Sequence, residues 1–148
     1  MRNIFKIYII ILIGGIFLNG CASVGKIDSL RTQNRQNLLQ LSIGMTKQQV
    51  LEIMGTQSAQ DTFANYEKLT VTNPYRNEIL QGKDKVFEVY FYLTDKKHQT
   101  EVGPYGEPLA SSISEDELTP IIFDNNKVTG WGWSFLNDNI TKYEIRVR

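Results

Sequence analysis

The 148-residue chain has one cysteine, one histidine and two tryptophans, and its sixteen Lys and Arg balance sixteen Asp and Glu. One cysteine excludes an internal disulfide, and a single histidine leaves no paired His or Cys at metal-ligand spacing. The balanced charge, with no basic stripe, leaves no footprint for a nucleic-acid partner. A phosphate-binding glycine loop and a dinucleotide glycine pattern are both missing. An activated nucleophile needs a base held by a third group, yet His98 sits in the charged stretch "DKKHQT" and reads as a solvated loop residue. Nothing in the pattern points to an enzyme: no catalytic residue, cofactor or metal ligand is expected. Internal repeats are also lacking.

The chain also has no apolar run of the ~20 residues that a membrane crossing needs. Its longest, Ile7 to Leu18, spans twelve residues and contains Gly14 and Gly15. Ahead of it stand Arg2 and Lys6 with no acid, and after it comes Leu18-Asn19-Gly20-Cys21. A charged start, a short apolar middle and a small-residue end describe a secretory signal over residues 1–20. The small Gly20 before Cys21 resembles the lipobox of bacterial lipoproteins. That resemblance implies cleavage between Gly20 and Cys21, diacylglycerol on the Cys21 sulfur and an acyl chain such as palmitate on its nitrogen. Three such chains hold a protein on a bilayer, since each buried CH₂ contributes ~0.8 kcal/mol. Ala22 stands where an aspartate retains many lipoproteins at the inner membrane. The implied location is therefore the outer membrane, facing the periplasm.

Loss of the leader leaves 128 residues and moves the formal charge from +0 to −2, because Arg2 and Lys6 go with it. That length suits one domain with a modest core. Residues 21–35 read as the lipidated cysteine and a flexible polar tether, and 36–148 as the domain. Leu38, Leu39 and Leu41 form a short apolar stripe ending near Gly44. Thr46 followed by Gln49 is a capping-box pair, Val50, Ile53 and Met54 share one helical face, and Gly55 offers a left-handed stop. Two short helices joined by "IGMT" follow from this pattern.

The remainder reads as strands. "KVFEVYFYLT" alternates, with Phe87, Val89, Phe91 and Leu93 on one side and Val86, Glu88, Tyr90 and Tyr92 on the other. "TPIIFDNNKVTGWGWSF" reads as a hairpin turning at Asp124–Lys127, with Trp131, Trp133 and Phe135 on one face of its second arm. Further strands are expected within 64–73 and in the closing "KYEIRVR". The expected fold class is α+β: two short N-terminal helices packed on an antiparallel sheet of three to five strands, as a two-layer sandwich. Residues 72–84 and 95–117 read as polar loop insertions.

"LLQLSIGMTKQQVLEIMGT" resembles the opening of the BamE (SmpA/OmlA) outer-membrane lipoproteins. Gly44, Met45, Thr46, Gln49, Val50, Gly55 and Thr56 match that family's turn and helix, while Gln57 stands in the place of its usual proline. "FDNNKVTGW" is similar to its closing hairpin. The resemblance implies a non-catalytic accessory or scaffold in outer-membrane and envelope protein assembly or maintenance. Its implied partners are the membrane, through the anchor, and envelope assembly proteins, with Met45 and Thr46 near the contact surface.

Two further features bear on binding. Tyr75, Tyr90 and Tyr92 form a candidate partner surface, since half-exposed aromatics are enriched at protein contacts; Tyr105 lies in the second insertion. Asp95, Glu115, Asp116 and Glu117 carry oxygen ligands for a hard cation, but with no twelve-residue calcium loop they read as a solvated face. The alternative function is a periplasmic ligand-binding or hydrolase-inhibitor module that uses the sheet and its inserted loops.

Overall fold

The computed structural model describes residues 25–62, 68–96, 104 and 113–145. Helix α1 (Lys26–Leu38) and helix α2 (Lys47–Met54) are followed by strands β1 (Ser58–Thr62), β2 (Lys68–Thr72), β3 (Arg76–Gln81), β4 (Val86–Leu93), β5 (Leu118–Asp124) and β6 (Lys127–Trp131), and then by helix α3 (Trp133–Lys142). β1 and β2 form a two-stranded antiparallel sheet, and β3-β4-β5-β6 form a four-stranded antiparallel meander. The fold class is α+β, with helices packed on antiparallel sheets.

The two ends of α2 follow the local chemistry of its sequence. Thr46 accepts from the Gln49 N–H at 3.3 Å, and Gln49 Oε1 accepts from the Thr46 N–H at 2.9 Å, so two orphan donors are satisfied reciprocally. Gly55 closes the helix at φ 75°. Thr46→Ala removes the cap and is expected to lower the unfolding free energy by about 1 kcal/mol, measured by urea denaturation.

The Asp124–Lys127 hairpin turns through Asn125 at φ 50° and Asn126 at φ 66°. Two central residues of positive φ give the twist that matches flanking strands.

β4 is buried on both sides. Phe87, Val89, Phe91 and Leu93 join a cluster with Leu80, Leu118, Ile122 and Leu136, with Trp133 and Phe135 of α3 packed against it. Tyr90 and Tyr92 join a second cluster with Val50 and Met54 of α2, Ile121, Phe123 and Val128. Two N-terminal helices are present, but the first ends at Leu38, where the expected Leu38–Leu41 stripe begins, so Leu39 caps it and Leu41 packs from the connection; α3 adds a third helix that covers the sheet's other face. Gly130 makes this cover close, because a Cβ there would lie 2.6 Å from the Phe135 ring.

Four expectations are corrected. Trp133 and Phe135 lie on α3, not on a strand with Trp131: Gly132, at φ 88°, turns the chain and its carbonyl accepts from the Leu136 N–H. Tyr143–Ile145 follow α3 as a turn rather than as a strand, while 146–148 lie outside the described residues. The span 72–84 holds β3, not an inserted loop, because Leu80 reaches the core and Gly82 opens a tight hairpin with Lys85. Finally, helix begins at Lys26, inside the span read as tether. Its first N–H groups have no local cap; Asp61 on β1 supplies both acceptors, to Lys26 N at 2.8 Å and Ile27 N at 3.1 Å. Gly20, Cys21, His98 and Tyr105 lie outside the described residues, as does most of 95–117.

Candidate functional site

The Gly44–Lys47 turn lies against the edge of β6. Gly44 N donates to Val128 O at 2.8 Å, Val128 N donates to Met45 O at 2.8 Å, and Lys47 N donates to Asn126 O at 3.2 Å. The turn thus acts as a short extra strand, bridged at Thr46 and Lys127. Gly44 holds φ 87°, a left-handed conformation natural to glycine. Val50 and Met54, just downstream, are fully buried under the sheet. Of the motif residues, Gly44, Met45, Thr46 and Gln49 therefore build the turn and its cap, Val50 anchors α2, and Gly55 ends it.

The chain between α1 and α2 leaves two apolar groups in water. Leu39 is 86% exposed and Ile43 65%. Beside it, Lys47 reaches across to Glu88 on β4 and lies 5.9 Å from the centre of the Tyr90 ring. The Glu88 carboxylate holds the Lys47 ammonium above the ordinary lysine range.

Tyr90 and Tyr92 are not a partner surface. They are 8% and 0% exposed, because α2 lays Val50 and Met54 over the sheet face that alternation alone assigned to solvent. Tyr90 meets Phe123 edge-on at 5.1 Å. The Tyr92 hydroxyl is buried with no hydrogen-bond partner among the described residues, and burial, with Tyr90 nearby, pushes its pKa up. A desolvated, unpaired hydroxyl costs about 1–3 kcal/mol. Tyr92→Phe keeps the ring, so it is expected to raise the unfolding free energy by about 1 kcal/mol, read as an increase in Tm. Tyr75 is half-buried against the opposite cluster.

The acids near the start of β5 are held by protein side chains, two of them by arginines. Glu115 accepts from Arg76 Nη2 at 2.6 Å, and that guanidinium keeps the Glu115 carboxyl below its ordinary range. Glu117 accepts from Arg31 Nη2 at 3.0 Å, and Asp116 Oδ1 accepts from the Ser114 hydroxyl at 2.5 Å. Among the described residues no group of acids, His or Cys is placed to hold a metal ion.

A groove of about 1190 Å³ opens between β3 and α3. Leu80, Phe91, Trp133, Leu136 and Ile140 give it apolar walls; Arg76, Lys83 and Glu144 stand on its lining. Arg76 lies 4.1 Å over the Phe91 ring and pairs with Glu78 at 2.9 Å as well as with Glu115. Sequence reasoning passed over this groove, since it read β3 as a loop and α3 as a strand. The only cue was the apolar pair Ile79-Leu80 just ahead of the Gly82–Lys85 turn.

A family model described as a protein of unknown function (DUF3192) matches residues 22–138. The chain belongs to the DUF3192 family. That match runs from α1 through β6 and into α3, so the DUF3192 region holds the capped turn, both sheets and most of the groove. No curated protein and no solved structure matches the chain.

Proposed function

We propose that this DUF3192 protein is a lipid-anchored lipoprotein of the outer membrane, facing the periplasm, that works without catalysis as an accessory in envelope protein assembly or maintenance, as its resemblance to the BamE lipoproteins implies. The carrying observation is the charged and apolar leader ending at Leu18-Asn19-Gly20-Cys21. Cys21 stands four residues ahead of Gly25, which caps α1, so an anchor there holds the folded domain close to the bilayer. The exposed Leu39, at the end of α1, and Ile43, next to the turn that β6 holds in place, supply apolar contact area for a protein partner.

Mass spectrometry of the membrane-extracted protein tests the anchor. The expected mass lacks residues 1–20 and includes three acyl chains, and Cys21→Ser retains the leader. A mature chain that still carries Met1 overturns the reading. Affinity purification from detergent-solubilised envelopes tests the accessory role, which requires an envelope component that co-purifies reproducibly and is lost with Leu39→Lys plus Ile43→Lys.

The groove between β3 and α3 favours the second reading, a periplasmic ligand-binding or hydrolase-inhibitor module. In a thermal-shift screen against cell-wall fragments and secreted hydrolases, a true ligand raises Tm by mass action.

A further inference from the structure

The groove between β3 and α3 is bounded at both ends. Arg76 and Glu115 meet at one, where Arg76 Nη2 donates to the carboxylate at 2.6 Å. At the other, the chain after α3 folds back onto the β3–β4 turn: Lys83 N donates to Tyr143 O at 3.1 Å, and a Cβ on Gly82 would lie 2.6 Å from that same oxygen. Between the ends both walls are apolar. Trp133, Leu136 and Ile140 are spaced three and four residues apart, so they share one face of α3 over ~10 Å, with Leu80 on the β3 side. The Trp133 indole N–H is spent on the Leu118 carbonyl at 2.6 Å. A sugar or a peptide backbone laid here buries polar groups without partners, whereas a hydrocarbon chain has none to lose.

The two ends differ in charge. Arg76 is balanced by Glu78 and Glu115. Lys83 and Glu144, at the opposite end, form no ion pair with each other or with any other described residue. Glu144 also holds a costly position. It closes α3 as a left-handed residue at φ 47°, with Tyr143 N donating to Asn139 O at 3.0 Å and Ile145 N to Ile140 O at 3.0 Å. Glycine or asparagine is usual at that place, because a side chain is strained there. A glutamate kept in spite of the strain, on the lining of a groove and next to an unpaired lysine, points to a use outside the fold.

Building on the second reading above, in which the groove holds a ligand, we infer that this ligand is a single-chain amphiphile with a zwitterionic head. Its hydrocarbon chain lies between Leu80 and the Trp133–Leu136–Ile140 face. The anion of its head sits at Lys83 and the ammonium at Glu144, so each unpaired charge finds its opposite. A single row of apolar side chains on each wall suits one chain rather than two. Lysophosphatidylethanolamine has this chemistry.

The test uses the full-length lipoprotein in phosphatidylcholine vesicles, with Trp131→Phe leaving Trp133 as the reporter. Lysophosphatidylethanolamine with a brominated lauroyl chain is expected to quench Trp133. The matching lysophosphatidylglycerol, which lacks the ammonium, is expected to need a roughly tenfold higher concentration. Lys83→Gln weakens both lipids, whereas Glu144→Gly weakens only the ethanolamine lipid and erases the preference. Because glycine relieves the positive φ, Glu144→Gly is expected to raise Tm by about 3 °C while binding is lost. The inference is overturned if the two lipids quench alike, if Glu144→Gly keeps the preference, or if that variant lowers Tm, which would make Glu144 a support of the fold. If neither lipid quenches Trp133 but a ligand from the thermal-shift screen does, the amphiphile is overturned and the groove's binding role stands.

Discussion

Phe91→Ala is expected to lower the unfolding free energy by about 4 kcal/mol, enough to bring many domains of this size near the limit of folding. Phe91 is 1% exposed and sits in β4 between two neighbours that have little else in common. On one side its ring meets Trp133 of α3 at 5.7 Å, tilted by 41°; on the other it carries the Arg76 guanidinium at 4.1 Å. Alanine therefore removes the floor of the groove, part of the seat of α3 and the platform that holds Arg76 towards Glu115. Truncating a buried aromatic ring typically costs about 3–5 kcal/mol through lost transfer and the cavity left behind. Phe91→Leu refills most of the volume and is expected to cost under about 1.5 kcal/mol. Urea titrations of both variants, followed by tryptophan fluorescence, check the pair, and equal losses would show that the ring is not the common support of these contacts.

Asn34→Leu is expected to cost about 3 kcal/mol and to lower Tm by roughly 10 °C, although it buries more apolar surface. Asn34 and Asn73 are 0% and 2% exposed and face each other amide to amide. Asn34 Nδ2 donates to Asn73 Oδ1 at 3.0 Å and to the Leu93 carbonyl at 2.7 Å, while Asn73 Nδ2 donates to Asn34 Oδ1 at 2.7 Å and to the Met54 carbonyl at 3.0 Å. This knot fastens α1, the end of α2, the chain after β2 and the end of β4 at one point. Leucine leaves the Asn73 amide half-satisfied and strips the Leu93 carbonyl of its donor, each loss costing about 1–3 kcal/mol. Calorimetry of the variant checks the expectation. An unchanged Tm would mean that water replaces Asn34 at no cost.

What sequence made legible is what neighbours along the chain decide. Thr46 and Gln49 cap α2, Asn125 and Asn126 turn the hairpin, and the alternation of Phe87 to Leu93 marks β4, all within a few residues. What it hid depends on distant partners. α1 starts at Lys26 because Asp61, thirty-five positions away, receives its first N–H groups. Tyr90 and Tyr92 alternate as an exposed face should, and only the placement of α2 buries them. Trp131, Trp133 and Phe135 fit strand periodicity over too short a run to exclude a helix, and Gly132 decided the matter by taking a positive φ. The groove inherits both misreadings, since one of its walls is β3 and the other α3.

The turn from Gly44 to Lys47 occupies the backbone of Asn126 and Val128. Sheet edges template aggregation by offering N–H and C=O groups to a foreign strand, and the start of β6 has spent its own on this turn, so that end of the sheet is shielded by main chain rather than by charge.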